Sequence, residues 1–91
     1  GIIIVVLTLQ AGSGQLLAGP DIVSRGFVYV RGSESLMDEA QKLLNEHVTG
    51  LTDRGITDWG KIKTEIKDSL GEFVWKKTKR RPMIIPIIME V

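Results

Sequence analysis

The chain closes on KKTKRRPMIIPIIMEV, residues 76–91, and this segment constrains the fold more than any other. Five of its first six residues are cations. Cations suit the C-terminal end of a helix, where they face the negative pole of the helix dipole. Pro82 has no backbone N–H and stops such a helix, and it pushes Arg81 toward extended geometry. Met83 to Met89 is then almost wholly apolar. A bilayer span needs about 20 such residues, so this run reads instead as a buried terminal strand.

The remaining elements follow from periodicity. Ile2 to Leu9 is β-branched and nearly continuous, the pattern of a strand covered on both faces. Ala11-Gly12-Ser13-Gly14 is a turn, and Gln15 to Ala18 returns as a short hairpin partner that Gly19-Pro20-Asp21 breaks. Phe27 to Val30 is strand-like again, bounded by Gly26 and Gly32. A first helix is predicted from Ser33 or Ser35 to a stop at Gly55, with Leu36, Ala40, Leu43, Leu44, Val48 and Leu51 in one apolar stripe. A second starts at Thr57 or Asp58, carries Trp59, Ile62, Ile66, Leu70, Phe73 and Val74, and ends in the cations. The predicted order is β-β-β-α-α-β. This is an α+β layer, a small three- to four-stranded sheet with both helices on one face. The first and last strands should lie together, and Pro86 favours an edge position or a bulge for the last one. An apolar edge invites unwanted pairing unless something covers it. Another subunit or another domain is the expected cover.

Ninety-one residues, 43% of them hydrophobic and 25% charged, make one ordinary domain, 1–91. Its net charge of +1 identifies no partner, so a nucleic-acid signal has to come from local clustering. The chain has no cysteine, which excludes disulfides and thiolate metal sites and is compatible with the cytoplasm. Gly1 runs directly into an apolar strand with no basic region and no small-residue cleavage site, unlike a signal peptide. A chain that opens in mid-strand reads as cut from something longer.

Chemistry is thinly represented. His47 is the single histidine, with Glu46 beside it. A two-metal hydrolytic site needs several imidazoles and carboxylates around its ions. The nucleophile-elbow pattern GxSxG is absent, and Gly12-Ser13-Gly14 lacks the GxxxxGK[ST] of a phosphate loop. The loop Gly19 to Phe27 presents Arg25, which either pairs with Asp21 or a carbonyl, or reaches an RNA phosphate or a neighbouring domain. The cluster Lys76, Lys77, Lys79, Arg80 and Arg81 either complements the helix dipole in solvent or contacts phosphate. Only Trp75 adjoins it, so binding there would be backbone-directed and salt-sensitive.

Three stretches carry a family resemblance. KTKRRPMIIPIIMEV at the C-terminus, AGPDIVSRGFVYVR at Ala18 to Arg31, and the Ile2 to Leu9 strand with Ile56-Thr57-Asp58-Trp59 together resemble the C-terminal domain of ribonuclease J. That family comprises bacterial metallo-β-lactamase/β-CASP ribonucleases. The resemblance implies a cytoplasmic, zinc-dependent parent with 5′-to-3′ exonuclease and endonuclease activity in RNA maturation and decay. The family's HxHxDH-type metal motif has no counterpart here, so the zinc ligands are expected outside this chain. This domain is then expected to lack a catalytic residue, a metal and a cofactor of its own. Its expected partners are the catalytic domains of its parent, a like or paralogous subunit, and RNA only indirectly, with no membrane. The expected interface is the edge formed by Met83, Ile85, Ile88 and Met89 with Phe27 and Tyr29. An accessory RNA-binding role through Arg25 and the 76–81 cluster is the alternative.

Overall fold

Ile2–Leu9 forms β1, the middle strand of a three-stranded sheet, in a computed structural model that describes residues 1–26 and 33–91. β2 (Leu16–Arg25) pairs with it antiparallel and β3 (Met83–Glu90) pairs with it parallel, giving the order β2-β1-β3. The expected neighbours at the two ends of the chain are thus realised, with Ile2 opposite Met83 and Leu9 opposite Glu90. Residues 10–15 close the β1–β2 hairpin, where the Gln10 N–H donates to the Gln15 carbonyl at 2.8 Å.

The predicted break at Gly19-Pro20-Asp21 does not occur. β2 runs through it as one strand of 10 residues, and a register shift between Val6 and Thr8 absorbs the distortion. Gly19 makes this possible. Its φ is +87°, and a Cβ there would lie 2.6 Å from the Val6 carbonyl oxygen. Pro20 is tolerated because β2 is an edge strand. It is buried, and its carbonyl accepts a hydrogen bond from Gln41 Nε2. The predicted strand at Phe27 to Val30 lies outside the described residues, so the observed order is β-β-α-α-β.

α1 (Ser33–Asp53) and α2 (Trp59–Thr78) lie on one face of the sheet, α1 against β2 and α2 against β3. α1 stops as its sequence predicts. Gly55 takes φ +74°, the Ile56 N–H donates to the Leu51 carbonyl at 3.1 Å and the Gly55 N–H to the Thr52 carbonyl at 3.0 Å. Two carbonyls left open by the helix end are satisfied in this way. Asp58 caps α2 by accepting the Gly60 N–H at 2.9 Å.

The core lies between the helices and the sheet. Ala40, Leu44, Val48 and Leu51 of α1 and Ile62, Ile66, Leu70 and Val74 of α2 are buried against Ile3, Val5, Leu7, Leu9 and Ile88. Leu16, Ile22, Phe73 and Ile84 pack around them. Trp59, predicted within the α2 stripe, is instead exposed in the first turn of the helix.

Candidate functional site

Side chains alternate across a strand, so burying Ile3, Val5, Leu7 and Leu9 turns Ile2, Ile4, Val6 and Thr8 to the other side of the sheet. The same holds in β3. Ile84, Pro86 and Ile88 face the helices, and Met83, Ile85, Ile87 and Met89 face away. The register aligns these residues in rows: Arg25, Ile2 and Met83; Val23, Ile4 and Ile85; Asp21, Val6 and Ile87. No helix lies over this face among the described residues. Six of the nine large hydrophobic residues exposed there and elsewhere in the described chain are on it: Ile2, Val23, Met83, Ile85, Ile87 and Met89. Met83 keeps 63% of its surface in solvent, a high value for a strand residue whose neighbours are all apolar.

This changes the expected interface in two respects. Ile88 retains only 8% exposure and belongs to the core, because even-numbered β3 residues face the helices. The exposed set is Met83, Ile85 and Met89 with Ile87 in its place, and Ile2, Val23, Ile4 and Val6 complete the patch. Phe27 and Tyr29 lie outside the described residues. Moreover, the accessible surface is a face and not an edge. Met83 and Val91 donate their N–H groups to the Gly1 and Leu9 carbonyls at 2.9 and 3.1 Å, so odd-numbered residues bond β1 and even-numbered N–H groups point outward. Pro86 therefore removes its donor from the outer edge, where no ladder bond is lost and strand addition is hindered. β3 is an edge strand, as Pro86 predicts. Strand alternation places Ile87 with Met83, Ile85 and Met89, but the run MIIPIIM has no polar residue to show which set faces outward.

The basic cluster is partly engaged within the chain. Lys76 Nζ lies 2.9 Å from Glu72 Oε1, and both are exposed. The hydrogen bond from Lys76, then its charge, holds the Glu72 carboxyl below its ordinary pKa. Lys77 Nζ lies 3.2 Å from Glu39 Oε1 and ties the end of α2 to α1. Lys79 ends α2 in a left-handed conformation, φ 60°. Its ammonium sits 5.5 Å from the centre of the Trp75 ring, and the Arg81 guanidinium sits 4.4 Å from it. A ring that already attracts two cations is a poor stacking platform for a base. Arg80 is exposed, with its backbone N–H donating to Thr78 Oγ1 at 3.1 Å. Arg25 is exposed at the end of β2 and donates to the Ser24 carbonyl at 3.4 Å, while Asp21 is four residues away along a strand, roughly 13 Å. Arg25 and Arg81 nonetheless reach the same end of the sheet, since Arg25 shares a row with Met83.

No three His, Cys, Asp or Glu side chains among the described residues converge as metal ligands would. His47 is exposed in a shallow groove with Glu46, Asp53 and Arg54. Among the described residues, the zinc implied by the family resemblance finds no fitting ligand set. No described helix is long and apolar enough to cross a membrane.

The whole chain, residues 1–91, matches the ribonuclease J C-terminal domain family. The chain belongs to that family. It is 50% identical over its full length to ribonuclease J2 of Bacillus subtilis (strain 168). It is 47% identical over 92 residues to ribonuclease J 2 of Staphylococcus saprophyticus and of Staphylococcus aureus strain NCTC 8325. In each case all of this chain is matched, but it spans only 16% of the relative's length.

Proposed function

We propose that this ribonuclease J C-terminal domain is a non-catalytic assembly element of a longer, cytoplasmic parent. In this reading, the parent is a zinc-dependent 5′-to-3′ exoribonuclease and endoribonuclease of RNA maturation and decay. The domain joins subunits and supports the catalytic body. One observation carries the reading: among the described residues the sheet has two apolar faces and helices cover only one of them. Contiguous exposed apolar patches on a folded domain mark contact surfaces, and burying this one contributes about 25 cal/mol per Å² of apolar area.

The test is sedimentation of the parent chain over a wide concentration series, with and without Ile85→Lys. Loss of an association step in the variant, with little effect of salt on the unsubstituted chain, is expected. An unchanged distribution in the variant would remove this face from assembly. The alternative, RNA guidance, draws on Arg25 and the cluster Lys76, Lys77, Lys79, Arg80 and Arg81. Reversing Lys76, Lys77 and Lys79 would then weaken RNA binding and flatten its salt dependence. Unchanged affinity at low salt would rule it out.

A further inference from the structure

We infer that a cleft between α2 and the outer edge of β3 binds a phosphodiester of single-stranded RNA. The inference rests on the RNA-guidance reading above and gives it a site, with a residue, Lys67, that lies outside the 76–81 cluster. Lys67, Gly71, Arg81, Pro82 and Ile84 line the cleft. Its volume of about 190 Å³ holds a phosphate group with several waters, each of which takes about 30 Å³.

Two of the five lining residues are cations and none is an anion. Other grooves on the domain differ. Along α1, Arg54 shares its groove with Glu46 and Asp53. Between the helices, Lys76 is tied to Glu72. Among the described residues, Lys67 and Arg81 take part in no ion pair, and both are exposed. Their charge is therefore open to a ligand.

Arg81 is held in place before any ligand arrives. Its guanidinium lies 4.4 Å from the centre of the Trp75 ring. That attraction is one of charge to ring, and it leaves N–H donors for phosphate oxygens. A further donor comes from the strand. Even-numbered N–H groups of β3 point away from β1, so the Ile84 N–H is open on this edge, while Pro86 has none to offer. Gly71 keeps the α2 wall low, since a Cβ there would stand 3.6 Å from Ile84 Cδ1 and narrow the cleft.

The surroundings suit a chain of phosphates more than a lone anion. Lys63 stands four residues before Lys67 on the same side of α2, about 6 Å along the helix. Lys79 and Arg80 follow at the other end of the cleft. Of the nearby carboxylates on α2, Glu72 is already engaged by Lys76, and Asp68 is not among the lining residues. Trp75 is occupied by two cations, so the contact is to the backbone of the strand and not to its bases.

The experiment titrates the parent chain with a fluorescent, nuclease-resistant single-stranded oligoribonucleotide over a range of salt. Lys67→Gln and Arg81→Gln change exposed side chains, so both variants keep the fold. Each is expected to weaken binding severalfold at low salt. Together they should lower the salt slope by about 0.7, the value for one single-strand phosphate. Lys42→Gln, on α1 away from the cleft, controls for net charge and should bind like the unsubstituted chain. A strand with uncharged methylphosphonate linkages should remove the difference between the variants and the unsubstituted chain. Variants that lose no more than Lys42→Gln, or a difference that persists with the uncharged strand, would overturn the cleft. So would variants that lose only binding of inorganic phosphate, which would make it a site for a free anion. Reversing Lys76, Lys77 and Lys79 separates the two levels of inference. If that reversal weakens binding while Lys67→Gln and Arg81→Gln do not, RNA guidance stands and the cleft falls. If none of them has an effect, both fall.

Discussion

The two faces of this sheet are made from the same kinds of residue and have different fates. On one, Ile3, Val5, Leu7 and Leu9 lie under two helices with almost no exposure. On the other, Ile2, Ile4 and Val6 alternate with them along the same strand and keep solvent access. A sheet face exposed to water ordinarily carries polar residues at alternate positions. Among the described residues the open face instead repeats the composition of a core, with charge at Asp21 and Arg25. The lesson is that apolarity in β1 and β3 specifies cover on both sides, while the chain supplies helices for one.

Substitutions that differ by one position test this contrast most severely. Ile88→Ala should destabilise the domain by about 2–4 kcal/mol, because Ile88 is packed in the core and truncation leaves a cavity. Ile87→Ala, on the open face, should cost about 1 kcal/mol or less in dilute solution. Denaturant titrations of both compare the faces directly, and equal losses would mean that the open face is already covered. Next in size, Asp58→Ala should lower stability by about 1 kcal/mol through loss of the α2 cap, affecting only the covered side. Lys79→Gly should raise it by about 0.5–1 kcal/mol, since glycine adopts the left-handed conformation without the strain a side chain incurs. Thermal unfolding midpoints measure both.

The smallest effect concerns Glu72. Its folded pKa is lowered by Lys76, so the stabilisation is present above the unfolded carboxylate pKa and disappears as pH falls through the folded one. Lys76→Ala should return the Glu72 carboxyl toward its ordinary pKa in an NMR titration. It should also remove a slight stability difference at neutral pH that vanishes in acid.

Most of the fold was legible where one period dominated. Ala40, Leu44, Val48 and Leu51, and Ile62, Ile66, Leu70 and Val74, have helical spacing and all are buried. Gly55 and Asp58 mark helix ends by chemistry that acts within a few residues. The continuation of β2 through Gly19-Pro20 was not legible, because it depends on a close approach to the Val6 carbonyl that only the paired structure creates. The open face was half legible. Met83, Ile85 and Met89 are exposed and Ile88 is buried, a split that a nearly unbroken apolar run does not reveal because it carries no phase. Lys77 could be seen as a cation but not as the partner of Glu39, which is brought to it by helix packing.

The pairing of Ile2 with Met83 has a consequence for how the molecule comes into being. The central strand finds one of its two neighbours only after both helices have been passed, and closing so long a loop precedes the contacts that reward it. Until then, β1 and β2 form a hairpin whose helix-facing side is bare as well as its open one. Removing the last eight strand residues would not trim an accessory. It would leave β1 with an unpaired edge exposed to the next available chain.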